Sequence, residues 1–398
     1  LKPTTQLSTI INKLTTITCL GLMPCALSYA EEDRTGLLLN GAISLEHTDN
    51  VLNKLETLAE SDTAYSIKSS VQYLGLIGKH KIFTHYNGKY SIYNKNNDLD
   101  HNEHNLTIGA KLEHSHKINT EFKINFDKKI EEPGSTNAST INVKEFNNFE
   151  NKLFIAKLIY GQYTSTGQLV FEYNFNDREF LNNEQTFRNR HYNQLIGTFF
   201  YRIAPKTRML FQVNTAKYTY DDHIESSSLI LNQSNKQNSY LIGTEWEATA
   251  KSTGTFKIGY LSKDYSEAIF SDVSGLSYEL DMIWKPHPFT KISVNATRKT
   301  IESAQINSQG YINTRYAINT THKLKPRTTV AAEYIFNNYD ISNNRTDRRH
   351  TINFSVTQNL RTWLNVSLYY KYQERTSNFE LFEYNSNSIG LTFETLFR

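Results

Sequence analysis

Two pairs of carboxylates stand at the spacing that puts both members on one face of an extended chain: Glu245 with Glu247, and Glu279 with Asp281. On a strand, residues i and i+2 point the same way, so Trp246 and Met282 turn to the opposite face. Paired acids can act as acid and base in glycoside hydrolysis, but that chemistry needs carboxyls on either side of a bound sugar rather than side by side. The same alternation turns Arg315, Glu333, Tyr369 and Lys371 inward with them. Opposed charges on a wall give a transverse field and many hydrogen-bonding partners, and a tyrosine offers a flat surface to a sugar ring. All eight residues are therefore expected to line a wet lumen, a better account of the acid pairs than catalysis.

Other chemistries find no support. The histidines include HNEH at His101 to His104 and HSH at His114 to His116. The second pair has strand spacing, yet no thiol or compact carboxylate set completes a metal site. There is no nucleophile elbow, no phosphate-cradling glycine loop and no HExxH zinc helix. The expectation is a protein that is not an enzyme and that carries no cofactor and no metal.

These residues need elements to hold them, and the composition indicates which. The chain has 398 residues, of which 38% are hydrophobic, with 25 Tyr and 22 Phe against 3 Met. That balance excludes a helical membrane protein and favours strands. Residues 1–30 stand apart: Lys2 and Lys13 precede an apolar stretch from Leu14 to Leu27, and Ser28 and Ala30 are small residues ahead of Glu31. This pattern reads as a secretory signal peptide, leaving 31–398 as the mature chain. Both cysteines, Cys19 and Cys25, fall inside it, so no disulfide is expected afterwards. The formal charge of +3 becomes +1 once the two lysines are gone, which argues against nucleic acid as a partner.

Beyond residue 30, period-two alternation dominates and no run has helical spacing. Strands are expected at about 37–48, 65–76, 80–93, 103–115, 118–128, 151–163, 166–178, 190–203, 206–219, 238–250, 253–264, 275–286, 289–301, 310–324, 327–340, 348–360, 362–375 and 385–397. A tilted strand needs about 9–11 residues to cross the hydrocarbon of a bilayer, and these are long enough. Tight turns rich in proline and threonine alternate with longer polar segments such as 129–150, 220–237 and 376–384, as when one rim of a barrel faces the periplasm. In LDMIWKPHPFTKISVNAT, Leu280, Met282, Trp284, Ile292 and Val294 are expected to face lipid. A β-sandwich also alternates, but strand number and length favour an all-β, transmembrane, antiparallel up-and-down barrel of about 18 strands.

The last strand, SNSIGLTFETLFR, alternates through Ile389, Leu391, Phe393 and Phe397. It resembles the final strands of chains delivered to the bacterial outer membrane by the barrel-assembly machinery, apart from Arg398 beyond the terminal aromatic. Residues 275–397 resemble the β-barrel porins encoded in bacterial exopolysaccharide operons. The shared patterns are W-x-P-x-P-x-T at Trp284, Pro286, Pro288 and Thr290; L-x-P-x-T at Leu324, Pro326 and Thr328; and Y-x-Y-x-x-R-x-S at Tyr370, Tyr372, Arg375 and Ser377. These are turn and wall residues. The resemblance implies an outer-membrane conduit that exports an extracellular or capsular polysaccharide, working with a periplasmic polysaccharide-export protein and an inner-membrane co-polymerase. A general or sugar-selective diffusion porin is the alternative, since the same wall serves either purpose.

Overall fold

The computed structural model describes residues 35–397 apart from 222, 223, 227, 228, 250, 307, 342 and 343. The expected signal segment at 1–30 and Arg398 lie outside the described residues. Alternation of apolar and polar side chains builds strands β1 (Gly36–Thr48), β2 (Asp62–Ile77), β3 (His80–Tyr93), β4 (His101–Glu113), β5 (Ile118–Glu131), β6 (Asn147–Tyr160), β7 (Gly167–Phe180), β8 (Arg190–Ala204) and β9 (Thr207–Tyr220). A small hairpin, β10 (Ile224–Ser226) with β11 (Leu229–Leu231), follows. The series continues with β12 (Asn235–Thr249), β13 (Ser252–Tyr265), β14 (Val273–His287), β15 (Thr290–Ile301), β16 (Tyr311–Lys325), β17 (Thr328–Ile341), β18 (Arg345–Arg361), β19 (Leu364–Ser377) and β20 (Tyr384–Phe397).

All except β10 and β11 join one 18-stranded antiparallel sheet in which neighbours in sequence pair, β9 pairs with β12, and β20 pairs with β1. The ring is closed, so no edge strand is left to expose unpaired amides to lipid. Each expected strand is present. The largest difference is at the start of β6, where pairing with β5 runs on to Glu131↔Asn147 instead of ending near residues 128 and 151; β2, β12 and β18 each begin three residues early. Polar residues there extend the ladder beyond the bilayer, so hydrophilicity alone did not mark a loop. At its other end β6 stops at Tyr160 rather than 163, because Gly161 takes φ +102 and opens the turn.

One rim carries the tight turns, such as the two residues 78–79 between β2 and β3, together with the start of β1 and the end of β20. The opposite rim carries the longer connections, including 49–61, 132–146 and 302–310. By the usual asymmetry of such barrels these rims are periplasmic and extracellular respectively.

The outer face is apolar. Met282 pairs with Val294 and Trp284 with Ile292 on it, as expected for the hairpin of β14 and β15. Toward the extracellular rim the outer face carries an aromatic run, with the Tyr316 and Phe336 rings stacked at 6.3 Å and Phe336 5.0 Å from His350. Amphipathic rings of this kind suit the bilayer interface. Ile318, at the middle of β16 and 44% exposed, faces the hydrocarbon. Ile318→Arg is expected to destabilise the barrel by about 2–4 kcal/mol, measured as unfolding from lipid vesicles in denaturant.

The inner face is polar, and it buries charged side chains deeply: Arg375, Lys263 and Asp347 are at most 1% exposed. Since strands alone would leave these groups in a wet lumen, something must cover them from inside.

Candidate functional site

The register sets rows of side chains across the inner wall. Lys111, Glu121, Lys157 and Glu172 are successive partners across β4, β5, β6 and β7, with Lys111–Glu121 at 3.4 Å and Lys157–Glu172 at 2.9 Å. A parallel row is made of amides: Asn176 donates to Asn151 at 2.9 Å, Asn174 to Gln194 at 2.9 Å, and Gln194 to Asn214 at 3.0 Å. The wall thus carries networks of alternating charge and of amides that bond from strand to strand.

The eight residues singled out in the sequence lie on this inner side of the register, but they do not converge on one point. Glu245 is 4% exposed and ion-paired to Arg208 at 2.7 Å, whose guanidinium also lies over the Tyr163 and Phe200 rings. Glu247 stands just past it, where the β12–β13 register slips, so the two acids do not face each other across a space. Glu279 pairs with Lys257. Asp281 and Arg315 are brought together through Asn295, which donates to Asp281 at 2.7 Å and accepts from Arg315 at 2.6 Å. Glu333 accepts from Asn353 at 2.7 Å, and Tyr369 donates to Glu46. Lys371 reaches Glu132 at 2.6 Å, a residue of the 132–146 connection.

That last contact identifies what covers the wall. Residues 132–146 fold into the lumen and cross toward β18, β19 and β20. Arg349 and Arg375 both donate to the Gly134 carbonyl, at 3.3 and 3.4 Å; Arg375 donates to that of Thr136 at 2.9 Å, and Arg345 to that of Asn137 at 3.0 Å. Beneath them Asp347, fully buried, accepts from Arg345 and from Ser377 at 2.7 Å and forms an ion pair with Arg375 at 2.8 Å. Gly134 has φ +71 and lies on the Tyr384 ring, so a Cβ there would be both strained and blocked. On the near side, Asn53 donates to the Pro133 carbonyl at 2.8 Å, and Val51, Leu52, Leu99 and Phe146 form a small apolar core.

A second connection, 302–310, enters from the far side. Glu302 accepts from Lys263 at 2.7 Å, Tyr220 at 2.6 Å and Gln237 at 3.0 Å, which ties the connection to β9, β12 and β13. The two connections meet: Asn137 donates to the Ser303 hydroxyl at 3.0 Å and accepts from the Ala304 amide at 2.7 Å. The lumen is therefore spanned, near its extracellular half, by two hydrogen-bonded loops.

On β6 to β9 the wall is differently furnished. Arg178 and Arg190 are direct partners across β7 and β8, and Tyr192 and Tyr218 are partners across β8 and β9 with rings 4.9 Å apart. All four are half-buried. Arg178 lies 4.8 Å over the Phe149 ring, and Arg188 bridges Glu131 with both terminal nitrogens, at 2.9 and 2.5 Å.

Glu132 gives the loop a dependence on pH. Burial alone would raise its pKa, but Lys371 and then Arg349 hold its carboxyl down to about 2 from an ordinary value of 4.5. A depressed pKa in the seated loop means that the stabilisation is complete above about pH 4.5 and is lost as the pH falls toward about 2. Conductance across a bilayer is expected to hold steady from neutral pH to about pH 5 and to rise as the loop loosens below about pH 4. Glu132→Gln is expected to remove that rise.

Arg345, Asp347 and Arg349 escaped the reading of the sequence, although their i, i+2, i+4 spacing in RTDRRH puts all three on one strand face. Arg375 and Ser377 were noted only as wall positions in a shared pattern, yet both bond Asp347. Among the described residues no group of His, Cys, Asp and Glu is placed to hold a metal ion, and no helix is long and apolar enough to cross a membrane.

The sequence model of a family described as "Putative beta-barrel porin 2" matches residues 38–396. A comparison with curated proteins found no match. Among solved structures, OccK9 (OpdG) from Pseudomonas aeruginosa aligns with a TM-score of 0.50 at 10% identity, over 91% of this chain and 98% of that one. A BenF-like porin from Pseudomonas fluorescens Pf-5 aligns at 0.49 and 10% identity, over 92% and 99%. At 10% identity the likeness to OccK9 is one of barrel architecture alone.

Proposed function

The chain belongs to the family described as "Putative beta-barrel porin 2", and from that premise we propose that this integral outer-membrane barrel is a passive diffusion porin for small polar solutes. The observation that carries this reading is the 132–146 connection. It is seated in the lumen by Arg345, Arg349 and Arg375 and narrows a passage whose remaining wall is lined by matched charges and amides. A narrow, hydrated, polar constriction passes solutes by size and charge and requires no local chemistry. Of the eight inner residues, Asp281, Arg315, Glu333 and Lys371 then serve as the hydrogen-bonding rim of the path, while Glu245 serves to hold the wall near the periplasmic turns. Reconstituted into liposomes, the protein is expected to admit monosaccharides and to exclude oligosaccharides progressively with size. Equal rates with protein-free liposomes would overturn the reading.

Export of an extracellular polysaccharide is the second reading, favoured by the Asn137 contacts to Ser303 and Ala304. A lumen bridged by loop-to-loop hydrogen bonds suits a channel widened by a driven polymer. This reading keeps the periplasmic export protein and inner-membrane co-polymerase as partners. Cells lacking the gene would then lose surface polymer and accumulate it behind the outer membrane; an unchanged surface with slower solute uptake favours the porin.

A further inference from the structure

We propose that the inner wall of β7 to β9 holds a binding site for a carboxylated sugar, with the carboxylate on Arg178 and Arg190 and the ring on Tyr192 and Tyr218. This deepens the porin reading by naming a solute class, and rests on it for the solute's passage.

Arg178 and Arg190 are direct cross-strand partners, and like charges placed so repel. In the neighbouring row of β4 to β7 the register sets lysine against glutamate, and the like-charged partners Arg349 and Arg375 are matched by the carbonyls of the 132–146 connection and by Asp347; Arg178 and Arg190 have neither arrangement. Neither arginine makes an ion pair among the described residues, and the nearby acids are engaged. Glu131 is bridged by both terminal nitrogens of Arg188, and Glu302 by Lys263, Tyr220 and Gln237.

Each guanidinium is also held in place by neutral hydrogen bonds and ring contacts. Arg178 spends Nε on the Asn151 side chain at 3.2 Å and lies over Phe149. Arg190 donates one terminal nitrogen to the Arg188 carbonyl at 2.9 Å and lies 5.7 Å from the Tyr220 ring centre. Two oriented guanidinium forks with donors to spare fit a planar carboxylate, which accepts two parallel hydrogen bonds from such a fork.

The rest of the patch selects what bears the carboxylate. Tyr192 follows Arg190 by two residues on the same face, and with Tyr218 it presents two neighbouring rings inclined by 36°. The apolar face of a pyranose packs on such rings, which a small inorganic anion would leave unused. Along the same strands lie Gln194, one inward position from Tyr192, and Asn214, two from Tyr218, amides able to meet ring hydroxyls.

The test is calorimetric titration of the folded, detergent-solubilised protein with glucuronate, and with glucose, at low salt. Binding of glucuronate but not glucose is expected, with Arg178→Gln and Tyr192→Leu each weakening it by about tenfold or more. Arg178→Lys, which keeps the charge and loses the fork, is expected to weaken it too. Heat-modifiable migration in gels checks that each variant is folded. Equal affinity for both sugars, or unaltered affinity in folded Arg178→Gln protein, would overturn the site. Bilayer current recorded in parallel separates the two claims: a conducting channel without glucuronate binding sinks the site alone, and binding by a protein that neither conducts nor admits sugars sinks the porin reading alone.

Discussion

Excising residues 134–145 and closing β5 to β6 with a short glycine-serine turn is expected to raise single-channel conductance severalfold. The change is unusually clean because Glu131 and Asn147 are already Cα partners at the top of the hairpin, so a few residues suffice to reconnect them. The barrel wall, its register and the lipid-facing band are untouched. What goes is the segment lying across the lumen, and with it the Asn137 contacts to Ser303 and Ala304. Planar-bilayer recording measures the outcome, and liposome swelling should show larger sugars entering in step. An unaltered conductance would mean that the constriction lies elsewhere on the wall.

Asp347→Ala has the largest expected effect of any single substitution on stability. The carboxylate is fully buried between Arg345 and Arg375 and also accepts from Ser377. Removing it leaves two buried guanidiniums facing each other without their anion, a loss of about 3–5 kcal/mol. Ser377→Ala removes one hydrogen bond from the same carboxylate and is expected to cost only about 0.5–1.5 kcal/mol. The two are compared by urea titration of protein folded in lipid vesicles. Because the same arginines hold the Gly134, Thr136 and Asn137 carbonyls, Asp347→Ala is also expected to expose 132–146 to added protease before the barrel unfolds.

The wall of this protein was legible because a strand repeats every two residues. In 364–377, Leu364, Val366, Leu368, Tyr370 and Tyr372 mark the lipid face so regularly that the inward positions of Tyr369 and Lys371 follow directly. The interior was not legible to the same degree. Alternation says that Lys371 points inward but not that it meets Glu132, because that pair is separated by most of the chain. The loop itself, EPGSTNASTINVKEF over residues 132–146, has the composition of a solvated connection. Its seat is made by arginines bonding backbone carbonyls, and a carbonyl has no sequence signature. The acid pair Glu245 and Glu247 shows the converse, since equal spacing on paper becomes a buried ion pair for one and a slipped register for the other.

The arginines and the tyrosine that receive the 132–146 connection belong to the last three strands of the chain, at Arg345, Arg349, Arg375 and Tyr384. The connection itself is complete after the first six. During assembly only its near-side contacts, to Asn53 and the core of Val51, Leu52 and Leu99, can form before β18, β19 and β20 are in place beside β1. The far side of the connection is therefore anchored across the bore only once the ring has shut.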